Sequence, residues 1–138
     1  MVGESKIQVD KIQVIAAVIE RNGKFLLGKR SPSKKSAPGY WCPISGRIED
    51  GETEQEAVTR EVLEEVGLSV VPVEKIGEFD TRDRSARIHW WLVRTEAGEA
   101  TLENDEHTEI KWVTLGEMSL LQPIFKEDFA VFQAIASR

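Results

Sequence analysis

The stretch "REVLEEVG", residues 60 to 67, sets Glu61, Glu64 and Glu65 within little more than one helical turn, and no Lys or Arg follows Arg60 to answer them. Carboxylates so crowded repel one another: like charges at i,i+4, such as Glu61 and Glu65, cost a helix a few tenths of a kcal/mol when exposed and more where water is excluded. Placed at about 100° per residue around a helix axis, Val58, Val62 and Val66 form one apolar stripe flanked by Leu63, and the three glutamates share an arc of roughly 100° beside it. Glu56, Arg60 and Glu64 stand at successive i,i+4 positions, so Arg60 pairs with Glu64, while Glu61 and Glu65 have no cation on the helix within reach. A solvated acidic face is the plain reading of such a run. The unanswered pair points instead to a hard divalent cation such as Mg2+, which takes oxygen ligands, accepts one or two carboxylates plus waters, and completes its shell with phosphate oxygens.

The wider segment from Gly46 to Leu68, "GRIEDGETEQEAVTREVLEEVGL", resembles the Nudix box, G-x5-E-x7-R-E-U-x-E-E-x-G-U with U aliphatic. Gly46, Glu52, Arg60, Glu61, Val62, Glu64, Glu65, Gly67 and Leu68 fill every specified position, a pattern far more specific than a lone glycine motif. The resemblance implies an α+β fold of the Nudix α/β/α sandwich kind, a mixed β-sheet between helices. It also implies hydrolysis of a nucleoside diphosphate linked to another group, with nucleoside triphosphates, oxidised ones included, as the MutT-type substrates. By position, Glu61, Glu64 and Glu65 match the family's metal ligands and Ser45 the residue lending a backbone carbonyl, while Glu52 and Arg60 match residues that orient them. A carboxylate from a later loop often serves the family as ligand or general base. Glu106 in "ENDEHTEIKWV" is the best match, with Glu103, Asp105 and Glu109 as rivals, so Glu64, Glu106, Arg60 and Glu52 make up the expected catalytic set. These residue types suit the reaction, because opening a diphosphate bridge needs cations to neutralise phosphate oxygens and acidify a water, and a carboxylate to take the water's proton.

The elements that must position these groups are legible in outline. "IQVIAAVIE" (12 to 20), Asn22-Gly23 and "KFLLGKR" (24 to 30) predict a β-hairpin. Residues 31 to 45, interrupted by Pro32, Pro38 and Pro43, read as a loop with a short extended piece at Tyr40-Trp41. Thr53 with Glu56 forms a capping box and Gly67 a C-terminal stop, which predicts a helix over 53 to 66. Strands are expected at 68 to 79, 86 to 96 and 110 to 113, a short helix behind a second capping box at Thr114 and Glu117, and a last helix from about Phe125 to Ala136.

At 138 residues the chain is read as one domain over its whole length. Its single cysteine, Cys42, excludes an internal disulfide and fits a reducing compartment. No run approaches a membrane span, and "MVGESKIQVDK" lacks the order of a signal peptide. A cytoplasmic location is therefore expected, with a small nucleotide as partner and a homodimer left open. The net charge of -6 argues against holding long nucleic acid. Lys29, Arg30, Lys34, Lys35 and Arg47 nevertheless bracket the loop before the box, a local basic cluster able to meet phosphates or simply to face water. Trp41 and Tyr40, or Phe79, Trp90 and Trp91, are candidates to stack on a base, though aromatics more often fill cores; strand alternation puts Trp90 and Trp91 on opposite faces. Arg30, Lys35, Trp41 and Arg47 are thus the expected substrate contacts. His107 reads as a surface or loop histidine, since hard cations favour oxygen. Two other readings stand beside the hydrolase: a Nudix-like module that senses a nucleotide without cutting it, and a relative of isopentenyl diphosphate isomerase using Cys42. The proline of ADP-ribose hydrolases and the tyrosine of dinucleoside polyphosphate hydrolases are both absent from "TRDRS" (81 to 85).

Overall fold

Asn22 and Gly23 both take positive φ, 53° and 77°, as a two-residue hairpin turn requires. They join β1 (Ile12–Arg21) to β2 (Lys24–Arg30). The computed structural model describes residues 11–95 and 97–138; the reading of the N-terminal stretch and the last residue of the expected strand over 86 to 96 lie outside them. The hairpin is paired only at its turn, Arg21 with Lys24 and Glu20 with Phe25. Beyond that the two strands part. Into the gap run β3 (Trp41–Cys42), which pairs with β2, and β4 (Ile44–Arg47), which pairs with β1 from Val14↔Arg47 to Ala17↔Ile44. The short extended piece expected at Tyr40-Trp41 is β3, displaced by one residue, while the expectation of loop at residues 44 and 45 is corrected by β4. Strands this short carry no periodicity of their own, and they form because the splayed hairpin leaves backbone donors and acceptors to be satisfied.

On the far side of β1, β6 (Ala86–Arg94) runs parallel to it, and β5 (Val71–Asp80) pairs antiparallel with β6. β7 (His107–Val113), longer than expected, runs antiparallel along β2. The result is a mixed sheet with α1 (Glu54–Val66) on one face and α2 (Leu115–Met118) and α3 (Lys126–Ala136) on the other. Alternation along β1 sorts the two cores. Ile15, Ala17 and Ile19 pack with Val58, Val62, Val66 and Trp91 under α1. Ala16 and Val18 pack with Phe25, Trp90, Met118 and Phe132 under α2 and α3. Trp90 and Trp91 fall on opposite faces, as the period of two demands.

The ends of α1 are as its sequence predicts. Thr53 Oγ1 accepts from the Glu56 amide at 3.1 Å, Glu56 Oε1 accepts from the Thr53 amide at 2.9 Å, and Gly67, at φ 71°, donates back to the Leu63 carbonyl at 3.0 Å. The apolar stripe is narrower than expected: Val58, Val62 and Val66 are wholly buried, while Leu63 is half exposed and belongs to the outer face. Among the described residues, no helix is long and apolar enough to cross a membrane.

This packing sets an expectation. Val62→Ala should lower stability in urea unfolding by about 2 kcal/mol, from two lost methyl groups and a cavity, whereas Leu63→Ala should stay within about 0.5 kcal/mol. Equal losses would contradict the assignment of faces.

Candidate active site

Arg60 lies two turns into α1 and gathers three parts of the chain. Its Nε donates to Glu52 Oε2 at 2.6 Å and one Nη to Glu52 Oε1 at 3.0 Å, a two-point contact. That same Nη donates to the Arg47 carbonyl at the end of β4 at 2.9 Å. The other Nη donates to Glu61 Oε1 at 2.8 Å and to Glu64 Oε1 at 3.1 Å. The sequence-based picture of Glu61 with no cation in reach is corrected: the guanidinium fork is wide enough to serve both neighbours. Glu52 sits in the turn before α1, its Oε1 also accepting from the Glu49 amide at 2.9 Å. The guanidinium beside it, then that backbone bond, hold its carboxyl down at about 2.

The three box glutamates lie at graded depth. The Glu64 side chain is 54% exposed, that of Glu61 14% and that of Glu65 4%. Glu61 rests directly over Gly46, where any Cβ would collide with its carboxylate; this glycine is needed for close approach rather than for its backbone angles. Ser45 precedes it on β4, opposite Ala16. Among the described residues Glu65 makes no ion pair with Lys or Arg, and burial, followed by the adjacent Glu61, pushes its carboxyl well above the usual carboxylate range.

The opposite wall comes from the start of β7 and the loop after β2. Glu106 is ion-paired with Lys34, and its carbonyl accepts from the Ser31 amide at 3.0 Å. Its charge acts on Glu65 across the site. Of its rivals, Glu103 accepts from the Thr101 hydroxyl and Glu109 pairs with Lys111 at 3.7 Å. Arg30 is close by, its Nε donating to the Ser36 carbonyl at 2.9 Å, while Lys35 and Arg47 extend exposed side chains. Trp41 is a correction: it is buried in the core under α3, without the open face that stacking on a base needs. Tyr40 is already stacked on Phe125, centroids 4.4 Å apart. His107 is another correction, buried rather than on the surface, and burial, with the charge of Arg30, pushes its imidazole down to about 4.

The NUDIX domain family matches residues 10–135. The chain belongs to this family. Over 126 residues it is 34% identical to the CTP pyrophosphohydrolase of Escherichia coli (strain K12), covering 89% of this chain and 90% of that protein. The nucleoside triphosphatase NudI of Enterobacter sp. (strain 638) is 28% identical over 120 residues, covering 78% of this chain and 85% of that protein. Among solved structures, the MutT protein of Methanosarcina mazei Go1 is similar with a TM-score of 0.78 at 25% identity, covering 92% of this chain and 95% of that one. The chain is thus a Nudix hydrolase, of the class that acts on diphosphate bonds in nucleotide derivatives.

Within this Nudix fold Cys42 lies in the interior, opposite Gly28 of β2. Its thiol is buried, pushed up to about 12 by desolvation, and donates to the Gly28 carbonyl at 3.6 Å. A thiol nucleophile needs the reverse shift, so the isomerase reading is withdrawn. One group escaped sequence reasoning: Asp128, in the first turn of α3, whose carboxyl is pushed up to about 6 by burial and then by Glu127, and whose charge is felt at Cys42. An acid in a first helical turn reads as an ordinary helix-dipole partner, and nothing local marks its raised carboxyl.

The Arg60 pairing has a measurable acid limb. Glu52 titrates at about 2 in the fold instead of the ordinary 4.5, so its contribution is fully present above pH 4.5 and drains away as pH falls toward 2. Glu52→Gln should therefore be less stable than wild type in urea melts at pH 7, with the gap closing at low pH. A gap that does not change with pH would refute the charge pairing.

Proposed function

We propose that this Nudix hydrolase uses a divalent cation, Mg2+ first and Mn2+ as alternative, to convert a nucleoside triphosphate and water into the nucleoside monophosphate and pyrophosphate. The observation that carries this reading is the buried Glu65 carboxyl crowded by the charges of Glu61 and Glu106, with Glu64 held on the same guanidinium as Glu61. Oxygen-only donors, a carboxylate cradled on a glycine that a Cβ would fill, and a buried acid crowded by like charge all suit a hard cation. Among the described residues no three such groups are gathered around one point, because Arg60 holds Glu61 and Glu64 toward itself.

In this reading Glu61, Glu64 and Glu65, with the Ser45 carbonyl, hold the cation, which supplies neutralisation of phosphate oxygens and a more acidic water. Glu52 and Arg60 keep the glutamates oriented. Glu106, ion-paired with Lys34 in this structure, would take the water's proton. Arg30, Lys34, Lys35 and Arg47 meet the phosphate chain. The triphosphate is favoured as substrate by the CTP pyrophosphohydrolase and the nucleoside triphosphatase among the relatives.

The test is a panel of nucleoside triphosphates, oxidised forms included, with CTP assayed first and pyrophosphate and monophosphate as readouts. Turnover should need Mg2+ or Mn2+ and vanish with chelator. Glu64→Gln and Glu106→Gln should each lower kcat by about 10^2-fold or more with circular dichroism unchanged. A folded wild-type chain inert toward every triphosphate with both cations would end this reading.

A further inference from the structure

His107 has a built seat with no evident occupant for its polar edge. It stands at the start of β7 opposite Arg30 of β2, and its ring fills the space where a Cβ on Gly28 would be. Its side chain is 3% exposed, and Nδ1 is buried without a hydrogen-bond partner among the described residues. That nitrogen faces Glu65 Oε1 at 3.6 Å, just beyond hydrogen-bond reach. Glu65 is the box carboxylate that Arg60 does not touch, and its neighbours in charge are Glu61, Glu106 and Lys34. Both groups are thus buried, and His107 Nδ1 has no hydrogen-bond partner among the described residues, a condition that native interiors rarely leave standing.

We propose that His107 is the positioning residue for Glu65: its Nδ1–H donates to the Glu65 carboxylate and fixes which oxygen is presented to the divalent cation. An ionised carboxylate only accepts, so the ring proton must lie on Nδ1 when the cation is held. The inference rests on the reading of Glu65 as a cation ligand. Groups that ligate cations are themselves oriented by outer hydrogen bonds, and losing one such bond costs about 10- to 100-fold in affinity. Gly28 joins the site by the same logic, since its missing side chain makes room for the ring.

The test titrates Mn2+ alone, by calorimetry, into the full chain as wild type, His107→Leu, His107→Asn and Glu65→Gln, each checked for folding by circular dichroism. His107→Leu should weaken Mn2+ binding by about tenfold. His107→Asn, whose side-chain N–H lies close to the Nδ1–H of histidine, should return to within about threefold of wild type. Added to Glu65→Gln, His107→Leu should cost nothing more, since the partner is already gone. In turnover of CTP, His107→Leu should lower kcat and leave the nucleotide KM unchanged. Should His107→Leu fail to fold, Gly28→Ala, which keeps the imidazole and displaces it, should give the same weakening. Wild-type Mn2+ affinity in folded His107→Leu, with Glu65→Gln weakened, would reduce His107 to packing and overturn the proposal alone. Failure of a folded His107→Asn to recover would overturn it too. Wild-type affinity in Glu65→Gln would remove Glu65 as a ligand and take both readings down together.

Discussion

The guanidinium of Arg60 ties the Glu52 turn, the end of β4 and the outer face of α1 to one point. Its planar fork of donors is what makes this possible, because a carboxylate, a carbonyl and two further carboxylates approach from different directions. A lysine in the same place offers charge without that geometry. The arrangement relieves the repulsion built into two closely spaced glutamates and, through the Arg47 carbonyl, registers the helix against the strand that carries Gly46. Glu61 then lies over that glycine with no room to spare. Orientation and charge relief come from one side chain.

Glu65 is treated differently. It faces inward, out of reach of Arg60, toward Glu106 and His107 of a distant part of the chain. Charge left in such a place is costly unless something compensates it. The depth gradient from Glu64 through Glu61 to Glu65 spans solvent to interior within little more than a turn of helix, so neighbouring carboxylates of one helix sit in very different surroundings.

The parted hairpin is what assembles these pieces. Since β1 and β2 stay paired only beside their turn, the short strands β3 and β4 fill the wedge and deliver Ser45 and Gly46 beneath α1. Pairing of β7 along β2 brings Glu106 and His107 to the same end of the sheet. The cores on the two faces share β1, whose alternate residues serve α1 on one side and α2 and α3 on the other.

The hairpin, the three later strands, the helices, both ends of α1, the valine stripe and the spacing of the glutamates were legible in the chain by itself. Periodicity, capping and spacing are local properties that neighbouring residues determine. What escaped was whatever depends on residues far apart in sequence: the strand β4 and the pairing in the hairpin's wedge, the second carboxylate in reach of Arg60, and the burial of Trp41 and His107. No local signal separates a buried histidine from an exposed one, or a stacking tryptophan from a core one, because burial is conferred by whichever distant segment packs on top. The chemistry was therefore written in the order of the residues, and its geometry only in how the sheet closes around them.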